Sequence, residues 1–267
     1  GARGSDGTTG TGLHLPYNFG LMMVPWEAAA IKGFVDAYEA ALPDYAWPNY
    51  VLGNHDNPRI ASRIGVQQAR VAAMLLLTLR GTPTLYYGDE IGMENVSIPR
   101  ERIQDPQGRN TSLFNRDEAR TPMQWEADLD NAGFTEETIV PWLPLSPDAG
   151  AINVEIQREY PVSMLSLYRR LLAYRRATPA LHSGAYVPLD APEGCFAFLR
   201  VREDGEDRRL VVLNFTVDIV TVRVPVDASA GRIAVSTYMD PFRSGKPRVN
   251  LRDGFDLRAD EGVIIEL

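Results

Sequence analysis

Between Leu13 and Glu90 short apolar runs alternate with long amphipathic ones, and this order restricts the possible folds more than any other feature. Leu13–Phe19, Tyr50–Gly53 and Thr84–Tyr87 read as strands, the first weakened by Pro16. Glu27–Leu42 reads as a helix with Ile31, Phe34, Val35, Tyr38 and Leu42 on one face, stopped by Pro43. Val66–Arg80, rich in Ala, Leu and Met, reads as a second helix closed by Gly81. Each helix is long enough for the crossover that parallel strands require. Polar residues follow every strand: Asn18, then His55 and Asp56, then Asp89 and Glu90. A (β/α)8 barrel and an open doubly wound sheet both bind ligands at that end of their strands. The chain contains neither G-x-G-x-x-G nor a Walker A sequence, which argues against nucleotide binding.

Residues 91–160 show little periodicity and much Pro, Asp, Asn and Gly, as functional loop regions do. Within them, Arg116 to Trp125 (RDEARTPMQW) concentrates groups able to close over a polar ligand. Val162–Ala177 reads as an amphipathic helix with Met164, Leu165, Leu167, Leu171, Leu172 and Tyr174 on the apolar side. Its four arginines, Arg169, Arg170, Arg175 and Arg176, are expected in solvent. Beyond Pro179 come Cys195–Val201, Arg209–Phe215, Ile219–Val224, Ile233–Tyr238 and Gly262–Leu267, β-rich runs that suit an antiparallel sandwich. The expected organisation is a flexible segment over 1–12, an α/β domain over 13–178 and a β-sandwich over 179–267.

Composition excludes several functions. The 267 residues carry a net charge of −8, which argues against nucleic acid or an anionic membrane as partner. Cys195 is the one cysteine, so no intrachain disulfide forms, and histidine occurs only at 14, 55 and 182, so no metal site or cofactor is expected. Apolar runs such as Met74–Leu77 are too short to span a bilayer, and no signal peptide is visible. A cytoplasmic protein is expected.

The densest chemistry lies in Asn49 to Arg59, where an imidazole, a carboxylate and a guanidinium fall within five residues, His55 to Arg59. Gly53 allows a bend or a close approach, and Asn57-Pro58 ends the strand. Two readings stand: Asp56 or Asn57 capping a helix with Arg59 paired to Asp56, or a ligand-facing set just past the strand.

Three segments in order, NYVLGNHDNPRIASRIG (49–65), QARVAAMLLLTLRGTPTLYYGDEIGM (68–93) and RDEARTPMQW (116–125), resemble glycoside hydrolase family 13, the α-amylase family, in its α-glucosidase and oligo-1,6-glucosidase branch. The resemblance runs from about Leu13 to the C-terminus and is weakest beyond Pro179. It implies the last three strands of a (β/α)8 barrel, Val162–Ala177 as the closing helix, and an all-β C-terminal domain. It implies that Asp56 matches the third catalytic carboxylate, which grips ring hydroxyls of the cleaved sugar. His55 matches a hydrogen-bonding partner of that sugar, and Arg59 an arginine at the substrate pocket.

Retaining glycoside hydrolysis uses a nucleophile and a general acid about 5 Å apart. In this family they are an Asp and a Glu after the fourth and fifth barrel strands, and both motifs would precede residue 13. Glu90, Asp89 and Asp105 are the nearest substitutes, and each reads better as a loop carboxylate paired with Arg100, Arg102 or Arg116. The chain therefore reads as the C-terminal part of an α-glucoside hydrolase for short oligosaccharides, inactive alone, whose partner is the missing N-terminal half or a second copy. The alternatives are a transglycosylating or isomerising relative of the trehalose synthase or sucrose isomerase type, and a non-enzymatic barrel like the heavy subunits of amino-acid transporters.

Overall fold

The computed structural model describes residues 15–43, 45–111, 115–240 and 248–267. The expected flexible segment 1–12 and the first two residues of the expected first strand, Leu13 and His14, lie outside the described residues. The chain forms two compact units: Gly1–Leu52, Arg70–Thr84 and Arg170–Leu267 make the first, Gly53–Ala69 and Leu85–Arg169 the second. Three long helices are α1 (Ala28–Ala41), α2 (Ile60–Thr78) and α3 (Met164–Ala177).

In the first unit the three expected strands run parallel but are reduced to isolated bridges, Asn18 with Tyr50 and Val51 with Thr84. Backbone bonds from Asn18 N to Asn49 O (2.9 Å) and from Thr84 N to Tyr50 O (3.3 Å) tie them together. Pro16 removes a donor within the first of these runs, and Pro48 and Pro83 remove donors just before the other two. Tyr50, Val51 and Leu52 are buried, whereas Leu15 and Tyr17 are exposed. α1 buries Ile31 and Val35, the centre of its expected apolar face.

α2 ends at Thr78, two residues before the expected limit, and begins six residues earlier, across a break at Gly65 (φ 79°). Gly81 lies beyond its end rather than at its cap, with φ at 115° and the Pro48 carbonyl so close that a Cβ would stand 2.3 Å from it. The carbonyls at this helix end are met by two buried arginines. Arg175 Nη1 donates to Leu77 O at 2.8 Å and Leu79 O at 3.0 Å, and Nη2 to Gly81 O at 2.5 Å. Arg200 donates to Thr78 O at 2.6 Å and Gly184 O at 2.7 Å. Arg175 thus departs from the expected solvated face of α3: residues 164, 167, 168, 171 and 175 form the buried stripe, while Leu172 is exposed.

The β-rich end holds eight strands among the described residues: β1 (Ala185–Leu189), β2 (Cys195–Val201), β3 (Arg208–Asn214), β4 (Val220–Val222), β5 (Ala230–Ser236), β6 (Arg248–Asn250), β7 (Phe255–Leu257) and β8 (Gly262–Glu266). Six form an antiparallel sheet in the order β1-β2-β3-β8-β5-β6, and β4 pairs with β7. Val212, Ile233 and Ile265 of the large sheet share one apolar core with Val222, Phe255 and Leu257 of the small one. Alternation decides the faces: Cys195 and Ala197 enter that core, and Phe196 and Phe198 lie on the opposite side of β2.

Candidate active site

The second unit carries the cluster that follows the buried run Tyr50–Leu52. Asn54 Oδ1 accepts from Asp56 N at 2.9 Å and from Asn57 Nδ2 at 3.0 Å. This Asx turn bends the chain and presents His55 and Asp56 outward. Their side chains are 64% and 45% exposed, and His55 Nε2 lies 3.3 Å from Asp56 Oδ2.

A loop brings two guanidinium groups to the same carboxylate. Arg120 Nη2 donates to Asp56 Oδ1 at 3.0 Å, and its Nε to His55 O at 2.8 Å. Arg116 Nη1 donates to the same Oδ1 at 3.3 Å. Arg116 is itself fixed, since its Nε and Nη2 donate to the two oxygens of buried Asp105 at 2.9 and 2.5 Å. These bonds hold the Asp105 carboxyl well below the usual carboxylate range, against the opposing effect of its burial. Asp105 also holds up the Arg116 guanidinium. Behind them, buried Asp117 accepts from Gln104 N at 2.6 Å and Asp105 N at 2.8 Å, fixing the backbone that carries Asp105. The expected Asp105–Arg116 pairing is therefore present, and it orients an arginine toward Asp56.

Two phenols hold this loop in place: Tyr86 OH donates to Ala119 O at 2.9 Å, and Tyr87 OH to Thr121 O at 2.7 Å. Arg59 anchors the tyrosines. Its guanidinium lies 5.0 Å from the Tyr86 ring centroid and 4.7 Å from that of Tyr87, and donates to Tyr87 O at 2.5 Å. Arg59 is 0% exposed, so the structure brings His55 and Asp56 together at the surface and leaves Arg59 beneath them. No Asp56–Arg59 ion pair appears among the described residues, and the carboxylate is taken by Arg116 and Arg120 instead.

Asp89 is 5% exposed and lies under Gly53, where a Cβ would meet its Oδ2 at 3.1 Å. Burial raises its pKa to about 7; Glu90 adds to the rise, while Arg59, Arg63 and a Tyr86 backbone N–H oppose it. Its Oδ1, like Arg59 Nε and Nη2, has no hydrogen-bond partner among the described residues. Arg116, Arg120 and Asp105 are the residues that sequence reasoning did not assign to the site. The signal for the two arginines was their spacing of four in RDEAR, within a segment able to close over a polar ligand.

The site thus offers one half-exposed carboxylate, oriented through Oδ1 by two guanidinium groups, with Oδ2 facing an exposed imidazole. Such a set accepts from and donates to adjacent hydroxyls of a polar ligand. No cluster able to hold a metal ion occurs among the described residues.

Residues 14–184 match the family model described as "Alpha amylase, catalytic domain". The chain is 33% identical to an oligo-1,6-glucosidase of Parageobacillus thermoglucosidasius over 227 residues, 75% of this chain and 40% of that protein. It is 35% identical to the human amino acid transporter heavy chain SLC3A1 over 202 residues, 75% of this chain and 28% of that one. The crystal structure of the trehalulose synthase MutB from Pseudomonas mesoacidophila MX-45 superposes with a TM-score of 0.82 at 28% identity, covering 95% of this chain and 51% of that one. The chain spans about half the length of these relatives or less.

Proposed function

This chain belongs to the α-amylase family, and on that premise we propose that it is the C-terminal portion of a retaining α-glucoside hydrolase of the α-glucosidase or oligo-1,6-glucosidase type. Its substrates are short α-linked gluco-oligosaccharides. One observation carries this reading: Asp56 stands half exposed with its Oδ1 held by Arg116 and Arg120 and its Oδ2 beside His55. The two arginines fix the direction of the carboxylate, and Oδ2 keeps lone-pair capacity for a sugar hydroxyl. Bonds of this kind strengthen as the sugar ring flattens toward an oxocarbenium-like transition state. Asp56 thereby contributes to catalysis without attacking or protonating the substrate.

His55 is the second sugar contact in this reading. Arg59, wholly covered, is a positioning residue that secures Tyr86 and Tyr87 and, through their phenols, the loop bearing Arg116 and Arg120. The nucleophile and general acid come from polypeptide outside these 267 residues, supplied by an N-terminal half of the barrel or a second copy of the chain. This reading assigns residues 13–178 to the catalytic barrel and 179–267 to the β-sandwich domain. It involves no cofactor.

The full-length protein is expected to turn over maltose or isomaltose faster than soluble starch. Asp56→Asn is expected to lower kcat by roughly 10²-fold with folding little changed. Faster release from starch would move the assignment to an endo-acting enzyme, and a near-native kcat would return Asp56 to a structural role. The likeness to a trehalulose synthase supports a second reading, transfer to a sugar acceptor in place of water. Chromatography of the products separates the two, since transfer yields new disaccharides. A transporter heavy-subunit role, raised by the likeness to SLC3A1, predicts no turnover of either kind. Among the described residues no helix is long and apolar enough to cross a membrane.

A further inference from the structure

A second concave region lies in the first unit. The C-terminal half of α1, the turn after it, Arg80 and edge strand β1 enclose a cleft of about 620 Å3. That volume falls within the roughly 300–1,000 Å3 range of small-molecule sites. Three aromatic rings line it: Tyr45, 49% exposed, and the partly covered Trp47 and Tyr186.

The polar groups of the cleft are fixed by the protein itself. Arg80 Nε donates to Glu39 Oε2 at 2.6 Å and Nη1 to Ala46 O at 2.9 Å, while the guanidinium lies 5.6 Å from the Trp47 ring centroid. Tyr50 OH donates to Glu39 Oε1 at 3.0 Å, and Tyr186 OH to Asp36 Oδ1 at 2.5 Å. Trp47 Nε1 donates to Thr82 Oγ1 at 3.0 Å, which sets the plane of the indole. Each Glu39 oxygen holds one bond and keeps capacity for a second, so a ligand meets a preorganised wall.

Ring faces beside a fixed carboxylate and guanidinium match a pyranose, which has a C–H face to stack and adjacent hydroxyls to exchange bonds. Asp36, Glu39 and Glu203 outnumber Arg80 along the cleft, so a neutral ligand is favoured over a phosphate or another anion. We propose that this cleft is a second, non-catalytic site for a neutral pyranose oligosaccharide, stacked on Tyr45 and Trp47 and held through its hydroxyls by Glu39 and Arg80. The proposal does not depend on the role given to Asp56.

The test uses the full-length protein, retarded in native gels by dextran or amylopectin and titrated calorimetrically with maltoheptaose and isomaltoheptaose. Tyr45→Ala is expected to weaken retardation and affinity about tenfold, the scale of one lost aromatic contact. Trp47→Phe should keep part of the binding, because the ring remains and the indole N–H is lost. Maltose turnover should match the parent in both variants, while Trp47→Phe lowers the melting temperature through the lost Thr82 bond. Absence of retardation and of heat in the parent overturns the proposal, as does binding unchanged in Tyr45→Ala. Tyr45-dependent retardation in a protein without glucosidase turnover would reject the enzymatic reading and leave this site standing.

Discussion

Replacing Asp89 with asparagine probes the charge buried beneath the site. Burial raises the Asp89 pKa from 3.8 in the unfolded chain to about 7 in the folded one. Between those values the folded protein holds a proton that the unfolded chain has released. Stability therefore falls as pH rises through this window, by about 1.4 kcal/mol per pH unit for a single site. Over roughly three units the loss is about 4 kcal/mol, and it levels off once both states have lost the proton. Asparagine has nearly the same shape and no proton to lose, so the variant lacks this slope. Urea unfolding of the full-length parent and variant, compared at each pH between about 5 and 8, reads the difference directly. The variant should gain about 2 kcal/mol relative to the parent from pH 5 to pH 7, and a few tenths of a kcal/mol beyond. A difference that stays flat within about 0.5 kcal/mol would refute the assignment of a near-neutral carboxyl to this position.

Three further expectations follow from the same geometry. Asp105→Asn should weaken the hold on Arg116 and lower kcat/KM. Because the Asp105 carboxyl titrates below the usual carboxylate range in the folded state, its contribution is present at neutral pH. That contribution is lost as pH falls through the depressed pKa, so acid unfolding curves of parent and variant should converge at low pH. Arg120→Lys cannot reproduce the planar fork that serves both Asp56 and the His55 carbonyl, and should cost about tenfold in kcat/KM on maltose. Gly81→Ala places a methyl against the Pro48 carbonyl at a positive φ, and should cost roughly 1–3 kcal/mol in urea unfolding.

Periodicity made the long elements legible. α1 differs from its expected span by one residue at each end, and β2 has its expected bounds, because amphipathic repeat and β-branched or aromatic content agree there. β1 escaped notice because Pro188 interrupts it, and a proline is tolerated there because β1 is an edge strand. β6 and β7, three residues each, are too short to leave a pattern. At the site, the outward placement of His55 and Asp56 was legible because polar groups just past a buried strand must leave the core. Arg59, expected at the substrate pocket, and Arg175, expected in solvent, are both buried for one physical reason. A guanidinium reads as solvent-seeking, yet it can be buried where ring faces or several carbonyls surround it, and those partners lie far away in the chain.

The two arginines at the end of α2 carry a consequence for the order of folding. Arg175 and Arg200 reach back 98 and 122 residues to carbonyls of Leu77 and Thr78. During synthesis the last turn of α2 emerges long before either donor, so the Leu77 carbonyl stays hydrated until Arg175 of α3 has been made and the Thr78 carbonyl until Arg200 of β2 has been made. The helix end and the antiparallel sheet should therefore become protected from hydrogen exchange in one late step, although the helix itself is local and fast to form. A ribosome paused before Arg175 would carry a chain in which α2 is present and neither donor for its end has been made.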